Sequence, residues 1–173
     1  MMQFVSGNIL ESHSPVVALP VQIKQDGKEV APLDQKAAKA FPDSWVRLKR
    51  FLRSHQLNPG ELWVDDGPGQ PRLVLLASHG PLGNVQVPML RKSLRRLANW
   101  ADRNDVAAVA VGNLGSADRT LAGLPSQQIA YEQLVDSRCR FVVYENQVMP
   151  PQFEETTGSP LARWRDQDQL VAV

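Results

Sequence analysis

Short apolar runs of strand length alternate with amphipathic helical stretches along this chain. In its first third, strands are predicted at residues 2–5 and 15–21, and Pro20 is expected to put the end of the second strand at an edge or in a loop. Residues 34–54 place apolar side chains at helical spacing, with Lys and Arg on the opposite face. Because proline favours the first turn of a helix, Pro42 is expected to divide this stretch into a short helix and a longer one.

The middle of the chain repeats this alternation. Residues 58–60 (Asn-Pro-Gly) mark a turn before the strand-like run ELWVD, and GPGQP marks a second turn before RLVLLAS. The nearly continuous apolar character of RLVLLAS is typical of a buried central strand. Pro88 opens the clearest helix, which has a single apolar face formed by Leu90, Leu94, Leu97 and Ala101.

The last third predicts the fold class. The run VAAVAVGNLG is a small-residue strand leading into a glycine loop, Ser126 is expected to cap a helix through Leu134, and CRFVVYE is a last strand. Successive strand–loop–helix–strand units favour right-handed crossovers and parallel strands, with helices on both faces. We therefore expect an α/β fold, a three-layer α/β/α domain at residues 1–146 with a central mixed, mostly parallel sheet, followed by an irregular tail at residues 147–173.

Composition narrows the function classes. The chain has 173 residues, of which 43% are apolar and 21% charged, and its net charge of +1 gives no overall attraction to nucleic acid or membranes. One cysteine, Cys139, excludes an internal disulfide framework. Without a secretory signal or a long apolar segment, a cytoplasmic location away from membranes is expected. The three histidines lack metal-ligand spacing, so neither a metal nor a cofactor is expected.

Four stretches of the chain carry a family resemblance. They are FVSGNILES, then KAAKAFPDSWVRLKRF with LNPGELWV, then RLVLLASHG, then VAAVAVGNLG with RFVVYEN, and they span roughly residues 3–146. In order and setting they resemble macro domains, in particular the branch of DNA ADP-ribosylglycohydrolases that act as antitoxins to DNA ADP-ribosyltransferases. The resemblance implies a domain built around ADP-ribose, with the ligand contacts in three loops.

The first loop implied by the resemblance is Gly7-Asn8-Ile9. In the family, the glycine permits close approach of the ligand, and an acidic residue accepts a hydrogen bond from the adenine amine. Asn8 keeps an acceptor oxygen but lacks the charge, so the contact is expected to be weaker. The alternative is a strand-ending Gly-Asn turn with no ligand role.

The second loop, residues 22–31, is the catalytic loop in this branch, where two asparagines precede a Gly-Lys-Gly step. The asparagine positions fall on Leu19 and Gln22, so the first is lost and the second is partly replaced. One alignment places Gly27 and Lys28 on the first glycine and the lysine.

Two observations weaken the match between this loop and the catalytic loop of the family. In the favourable alignment, Glu29 replaces the second glycine, where a side chain blocks close approach and its charge opposes a diphosphate. A different alignment puts Ala31 on the lysine position and leaves no lysine. In the alignment that keeps a lysine, Lys28 is the candidate catalytic residue, suited to place a positive charge near the anomeric carbon or to protonate the leaving group. The alternative is that it is a solvated residue of a polar loop.

The third loop binds the diphosphate in the family through successive backbone amides. Here the segment SADRTL interrupts the glycine-rich pattern. The residues that remain as candidate ligand contacts are Leu114, Gly115, Ser116, Arg119 and Gly123. Arg119 offers a charge-assisted contact to phosphate, and a longer surface loop without a ligand is the alternative.

Outside the loops, one helix face is strongly basic. It carries Arg91, Lys92, Arg95 and Arg96, which makes it a candidate contact for nucleic acid or an acidic protein, and the tail is a second candidate protein contact. Because ligand positions are substituted in all three loops, we expect a degenerate, non-catalytic macro-like domain that binds ADP-ribose or a related nucleotide weakly, or that serves as an interaction subunit. The alternative is an active ADP-ribosylglycohydrolase that removes ADP-ribose from nucleic acid or protein.

Overall fold

A computed structural model describes residues 1–112, 114 and 123–145, with the backbone alone at residues 123–125. The strands are β1 (Met2–Ser6), β2 (Val16–Lys24), β3 (Glu29–Pro32), β4 (Leu62–Val64), β5 (Arg72–His79), β6 (Ala108–Val111) and β7 (Arg140–Glu145). The helices are α1 (Gln35–Ala38), α2 (Pro42–Leu52), α3 (Val87–Arg103) and α4 (Gly123–Leu134). Two 3-10 turns lie at Ile9–Glu11 and Gln25–Gly27.

The strands form one mixed sheet in the order β1-β7-β6-β2-β5-β4. Each neighbouring pair from β1 to β5 is parallel, whereas β4 is antiparallel to β5 and β3 is antiparallel to β2. Parallel strands need crossovers, which here contain the helices, so helices come to cover the sheet. The predicted mixed, mostly parallel sheet is confirmed.

Alternation of side chains along the strands divides the core in two. On β2, Val16 and Ala18 belong to one apolar cluster, and Val17, Leu19 and Val21 belong to the other. Helices α3 and α4 pack on the first cluster, through residues that include the expected apolar face of α3. Helices α1 and α2 pack on the second cluster. The three-layer arrangement of the prediction is therefore confirmed.

Pro20 does not end the second strand, and that prediction is wrong. Strand β2 continues to Lys24, and Pro20 pairs in register with Leu76 of β5. The carbonyl of Ala18 accepts a hydrogen bond from Gly112, so Ala18 and, two residues on, Pro20 turn their backbone groups away from β5. On that side the β6 ladder stops at Ala18 and the β3 ladder starts at Val21. The missing N–H of Pro20 thus falls in the gap between two ladders.

The predicted cap of α4 is also wrong. Helix α4 begins at Gly123 and Ser126 lies inside it, wholly buried, so Ser126 is not its cap. The helix extends further because Pro125 is acceptable in a first turn. His79 is the last residue of β5 and is fully buried, with its Nδ1 2.8 Å from the hydroxyl of Ser78.

A buried carboxylate ties α2 to the segment after β4. Asp65 accepts two hydrogen bonds from Arg47, at 2.6 and 2.7 Å, and one from the hydroxyl of Ser44. The backbone N–H of Gly67 donates to the same carboxylate at 3.0 Å. The hydrogen bond from Arg47 is the largest cause that holds the pKa of Asp65 well below its usual range, against the opposing effect of burial.

Replacing Asp65 with Asn should lower the free energy of unfolding by about 2 kcal/mol at neutral pH, because the Arg47 guanidinium loses its charged partner. A carboxyl with a lowered pKa stabilises the fold above its unfolded pKa, so this difference should shrink as the pH falls below about 4. Urea unfolding at pH 3 to 7 measures it.

The matched control is Asp66→Asn, which removes a neighbouring but exposed carboxylate. It should change the free energy of unfolding by less than about 0.5 kcal/mol. Equal effects of the two substitutions would show that the Asp65 network does not stabilise the contact between α2 and β4.

Candidate functional site

The carboxyl ends of β1, β2, β5, β6 and β7 point to the same edge of the sheet, because these strands are parallel. In open α/β sheets this edge is where ligands bind. The described segments that leave it include Gly7 after β1, the turn at residues 80–83 after β5, and Gly112 after β6. The first two predicted loops, which follow β1 and the buried part of β2, therefore both lie at this edge.

Gly7, which directly follows β1, has a backbone conformation that favours glycine. Its φ of 154° is a conformation that side chains rarely adopt. A Cβ placed on Gly7 would meet none of the described residues within 4 Å, so packing against that part of the domain does not explain the glycine. Within the described segments, the backbone at the end of β1 is thus open on this side to the close approach of another molecule.

The next two residues are engaged locally. The side-chain oxygen of Asn8 caps the 3-10 turn by accepting a hydrogen bond from the N–H of Leu10 at 3.0 Å. Ile9 is buried in the cluster beneath α1 and α2, so its side chain faces the core. A ligand at Gly7 would meet the side-chain oxygen of Asn8, which already accepts one hydrogen bond. It would meet the backbone of Ile9 rather than its side chain.

The predicted second loop is a β-hairpin. Strand β2 extends to Lys24, a 3-10 turn follows, and β3 returns with Glu29 paired to Lys24. Gln22 lies within this hairpin beside a register shift and donates a hydrogen bond from its amide to the carbonyl of Pro81. Its side chain also lies beneath the turn at Gly83. Gln22 therefore joins the hairpin to the turn after β5 at the carboxyl-end edge.

The tip of the hairpin contacts the segment that follows α2. A Cβ on Gly27 would come within 2.6 Å of the carbonyl oxygen of Leu57, and the N–H of Leu57 donates to the carbonyl of Gly27. Lys28 donates from its ammonium to the carbonyl of His55 at 3.1 Å. Close packing accounts for Gly27, and Lys28 holds the backbone of a neighbouring segment.

The third predicted loop lies mostly outside the described residues. This applies to Gly115, Ser116 and Arg119, whose predicted contacts stay predictions. Leu114 is fully buried in the cluster beneath α3 and α4, and Gly123 is the first residue of α4. The tail at residues 147–173 is also outside the described part of the chain.

Two buried polar side chains near the same edge were missed. Glu145 ends β7 on the face of Phe141 and Val143, beneath α3 and α4, and burial raises its pKa to about 8. Its Oε1 has no hydrogen-bond partner among the described residues. Gln127, in the first turns of α4, is fully buried, and neither of its amide atoms has such a partner. The alternation Phe-x-Val-x-Glu in the sequence already indicated that Glu145 points inward.

The basic face of α3 is largely engaged by neighbouring side chains. Arg91 lies 3.8 Å from Glu132, Arg96 lies 3.7 Å from Glu61, and Arg95 donates to Gln133 at 3.1 Å. The stem of Lys92 packs over Gly60, where a Cβ would come within 2.6 Å of it. All four basic residues are exposed, but three of them already have polar partners, so the face offers less free charge than its composition indicates.

The described segments also limit other kinds of site. Within them, no group of three or more His, Cys, Asp or Glu residues could hold a metal ion. None of the helices in that part of the chain has the length and apolar character needed to cross a bilayer.

Comparison with solved structures places this architecture. The chain is similar to the macrodomain of Thermus aquaticus DarG, with a TM-score of 0.71 and 24% identity over 84% of this chain and 98% of that one. The macrodomain of Mycobacterium tuberculosis DarG gives a TM-score of 0.68 and 17% identity over 85% and 99%. Thermosipho africanus DarTG in complex with ADP-ribose gives 0.70 and 14% identity over 83% of this chain and 42% of that one.

The fold thus has a macrodomain architecture, as the sequence predicted. Among macrodomains, the chain resembles those of DarG. Comparison with protein-family models and with curated proteins found no match.

Glu145→Gln should remove part of the pH dependence of stability. The raised pKa means that the folded chain keeps the Glu145 proton between about pH 4.5 and 8, whereas the unfolded chain loses it. This group therefore lowers stability as the pH rises through that window, by up to about 1.4 kcal/mol per pH unit. Gln keeps the shape without the titration.

Urea unfolding of both proteins at pH 5, 6, 7 and 8 measures the difference in free energy of unfolding. The advantage of the Gln variant should grow with each step. A difference that stays constant with pH would mean that Glu145 is ionised in the folded chain throughout.

Proposed function

We propose that this chain is a non-catalytic macro-like domain that binds ADP-ribose or a related nucleotide weakly at the carboxyl-end edge of its sheet. The observation that carries the proposal is the backbone at Gly7, where a Cβ would meet none of the described residues within 4 Å. Similar folds support the choice of ligand, since Thermosipho africanus DarTG and a Trypanosoma brucei macrodomain were each solved in complex with ADP-ribose.

Weak binding follows from the residues at this edge. The Asn8 oxygen is neutral and already accepts a hydrogen bond from Leu10, so it offers less to an adenine amine than a free carboxylate would. Exposed Glu29 adds a negative charge to the hairpin, which opposes a diphosphate. Both features reduce affinity without closing the space at Gly7.

The absence of turnover is inferred from the residues that stand at the catalytic positions of the resemblance. Leu19, at an asparagine position, is buried in the core cluster. Gln22, at the other, donates its amide to the carbonyl of Pro81. Lys28 donates to the carbonyl of His55, which directs its ammonium to the segment after α2. Each side chain has a structural role that accounts for it.

ADP-ribose should bind the domain with a Kd of about 100 µM, close to −5.5 kcal/mol, as measured by isothermal titration calorimetry. Gly7→Ala should weaken this binding at least about tenfold, because the added methyl group occupies the space beside the end of β1.

Gly69→Ala is the matched control. Gly69 also has a positive φ, 101°, and a Cβ there would meet none of the described residues within 4 Å, but it lies in the turn before β5 at the other edge. It should leave the Kd unchanged within about twofold. No heat of binding at 1 mM ADP-ribose, or equal losses in the two variants, would contradict a ligand site at Gly7.

An oligonucleotide carrying ADP-ribosylated thymidine should stay intact when it is incubated with the wild-type domain. Release of ADP-ribose, followed by mass spectrometry over a day at neutral pH, should not exceed that in buffer. This expectation follows from the engaged side chains of Gln22 and Lys28.

Lys28→Ala and Lys24→Ala identify the source of any release that does occur. Both lysines belong to the same hairpin, but only Lys28 matches the catalytic position of the resemblance. Release that Lys28→Ala abolishes and Lys24→Ala preserves would replace the binding proposal by the alternative, an active ADP-ribosylglycohydrolase.

A further inference from the structure

A groove with a volume of about 570 Å³ lies between α2 and β4, on the side of the domain where the sheet ends. One wall is the outer face of α2 and the turn after it, with Arg47, Arg50, Phe51 and His55. The other wall is β4. The groove does not include Gly7 or Gln22, so it is separate from the proposed nucleotide site.

The backbone of β4 has unused hydrogen-bonding groups along this groove. Glu61 and Asp65 turn backbone groups towards β5, since the carbonyl of Glu61 accepts from Ala77 and the N–H of Asp65 donates to Leu73. Backbone groups alternate along a strand, so those of Leu62 and Val64 point to the open edge. None of the described residues forms a hydrogen bond with them. This edge can therefore accept another strand.

The groove beside this edge matches a short extended peptide. Arg47 and His55 are eight residues apart along α2 and its last turn, which corresponds to about 12 Å. Four residues of extended chain span about 13 Å. Alternate side chains of an added strand would enter the groove, where half-buried Phe51 and the edge of Trp63 provide apolar surface.

The charges along the groove select an acidic side chain at one position. Arg47 is neutralised by Asp65 at 2.6 Å, and exposed Asp66 would repel an acid at that end. Arg50 is exposed, and its guanidinium forms no hydrogen bond or ion pair with the residues that the structure describes. A carboxylate beside Arg50 would therefore gain a charge-assisted contact with a cation that has no partner among the described residues.

The α2 wall of the groove has supporting contacts at His55. The ring of His55 stacks on that of Phe51, with centroids 4.7 Å apart and planes 6° from parallel. The hydroxyl of Ser54 lies 2.9 Å from the Nδ1 of His55. Lys28 also binds the carbonyl of His55, so the ring and the backbone of this residue both have partners within the domain.

We propose that the β4 edge and this groove form a docking site for an extended acidic peptide of another protein, which adds to β4 as a further strand. Backbone hydrogen bonds to Leu62 and Val64 supply the register, an apolar side chain fills the space between Phe51 and Trp63, and a carboxylate pairs with Arg50. This site operates whether or not the carboxyl-end edge binds a nucleotide.

The test is selection of a random library of linear ten-residue peptides, displayed on phage, against the wild-type domain. Enriched peptides should carry an apolar residue and an acidic residue two positions apart, which places both on one face of a strand. The most enriched peptide is then synthesised with a fluorescein label and measured by fluorescence anisotropy.

Two variants address the two parts of the site. Val64→Pro removes an outward N–H without affecting the ladder with β5, since proline is accepted on edge strands, and it should weaken peptide binding at least about tenfold. Arg50→Glu should weaken it to a similar degree by charge reversal. Lys49→Glu, a reversal of the next exposed residue of α2 outside the groove, should change the Kd less than about twofold.

Each other outcome overturns the proposal. Loss in Arg50→Glu without loss in Val64→Pro would rule out strand addition, and the converse would rule out selection of an acidic peptide. If no peptide is enriched, or if an octathymidylate strand binds in its place and loses binding in Arg50→Glu, the groove is not a peptide site. Circular dichroism melting of each variant checks that it is folded.

Discussion

Burial of β2 on both faces is the constraint from which the rest of the domain follows. Six successive residues of this strand, from 16 to 21, are buried, and both core clusters draw side chains from it. A strand buried on both faces requires a helical layer on each side and neighbours that satisfy its backbone, which β5, β6 and β3 provide. Because β5 and β6 run parallel to β2, the segments that follow these strands leave at one edge. The position of the candidate site is thus a consequence of how the core is buried.

Periodicity in the sequence predicted the elements well, because the same burial that produces the layers also produces the pattern. The apolar face of α3 and the division at Pro42 are both as predicted. The predictions for Pro20 and Ser126 failed for a different reason, which Pro20 illustrates. A proline is acceptable inside β2 because the ladders of β6 and β3 leave a gap there, and such a gap depends on the register of three strands. No local pattern in the sequence contains that register.

The candidate site was less predictable, because glycine has several physical causes. Gly7 and Gly27 both have positive φ, and the sequence assigned a ligand role to each. At Gly27 the carbonyl of Leu57 occupies the space of a side chain, so packing within the domain explains the residue. At Gly7 none of the described residues occupies that space, so their packing does not explain the glycine and its backbone conformation does. The sequence alone does not separate these two causes, because Leu57, which contacts Gly27, is distant from it along the chain.

Lys28 illustrates how one side chain can serve the hairpin and the groove together. Its bond to His55, with the packing of Gly27 against Leu57, fastens the hairpin tip to the chain that connects α2 with β4. The same His55 forms the end wall of the groove beside β4. Movement of the hairpin would therefore displace this wall, because Lys28 of the hairpin binds the carbonyl of His55 in the wall. A lysine placed to act on a ligand would have to give up that contact, and the connection would lose a charge-assisted hydrogen bond. In this structure Lys28 therefore stabilises the contact between the hairpin and the segment after α2.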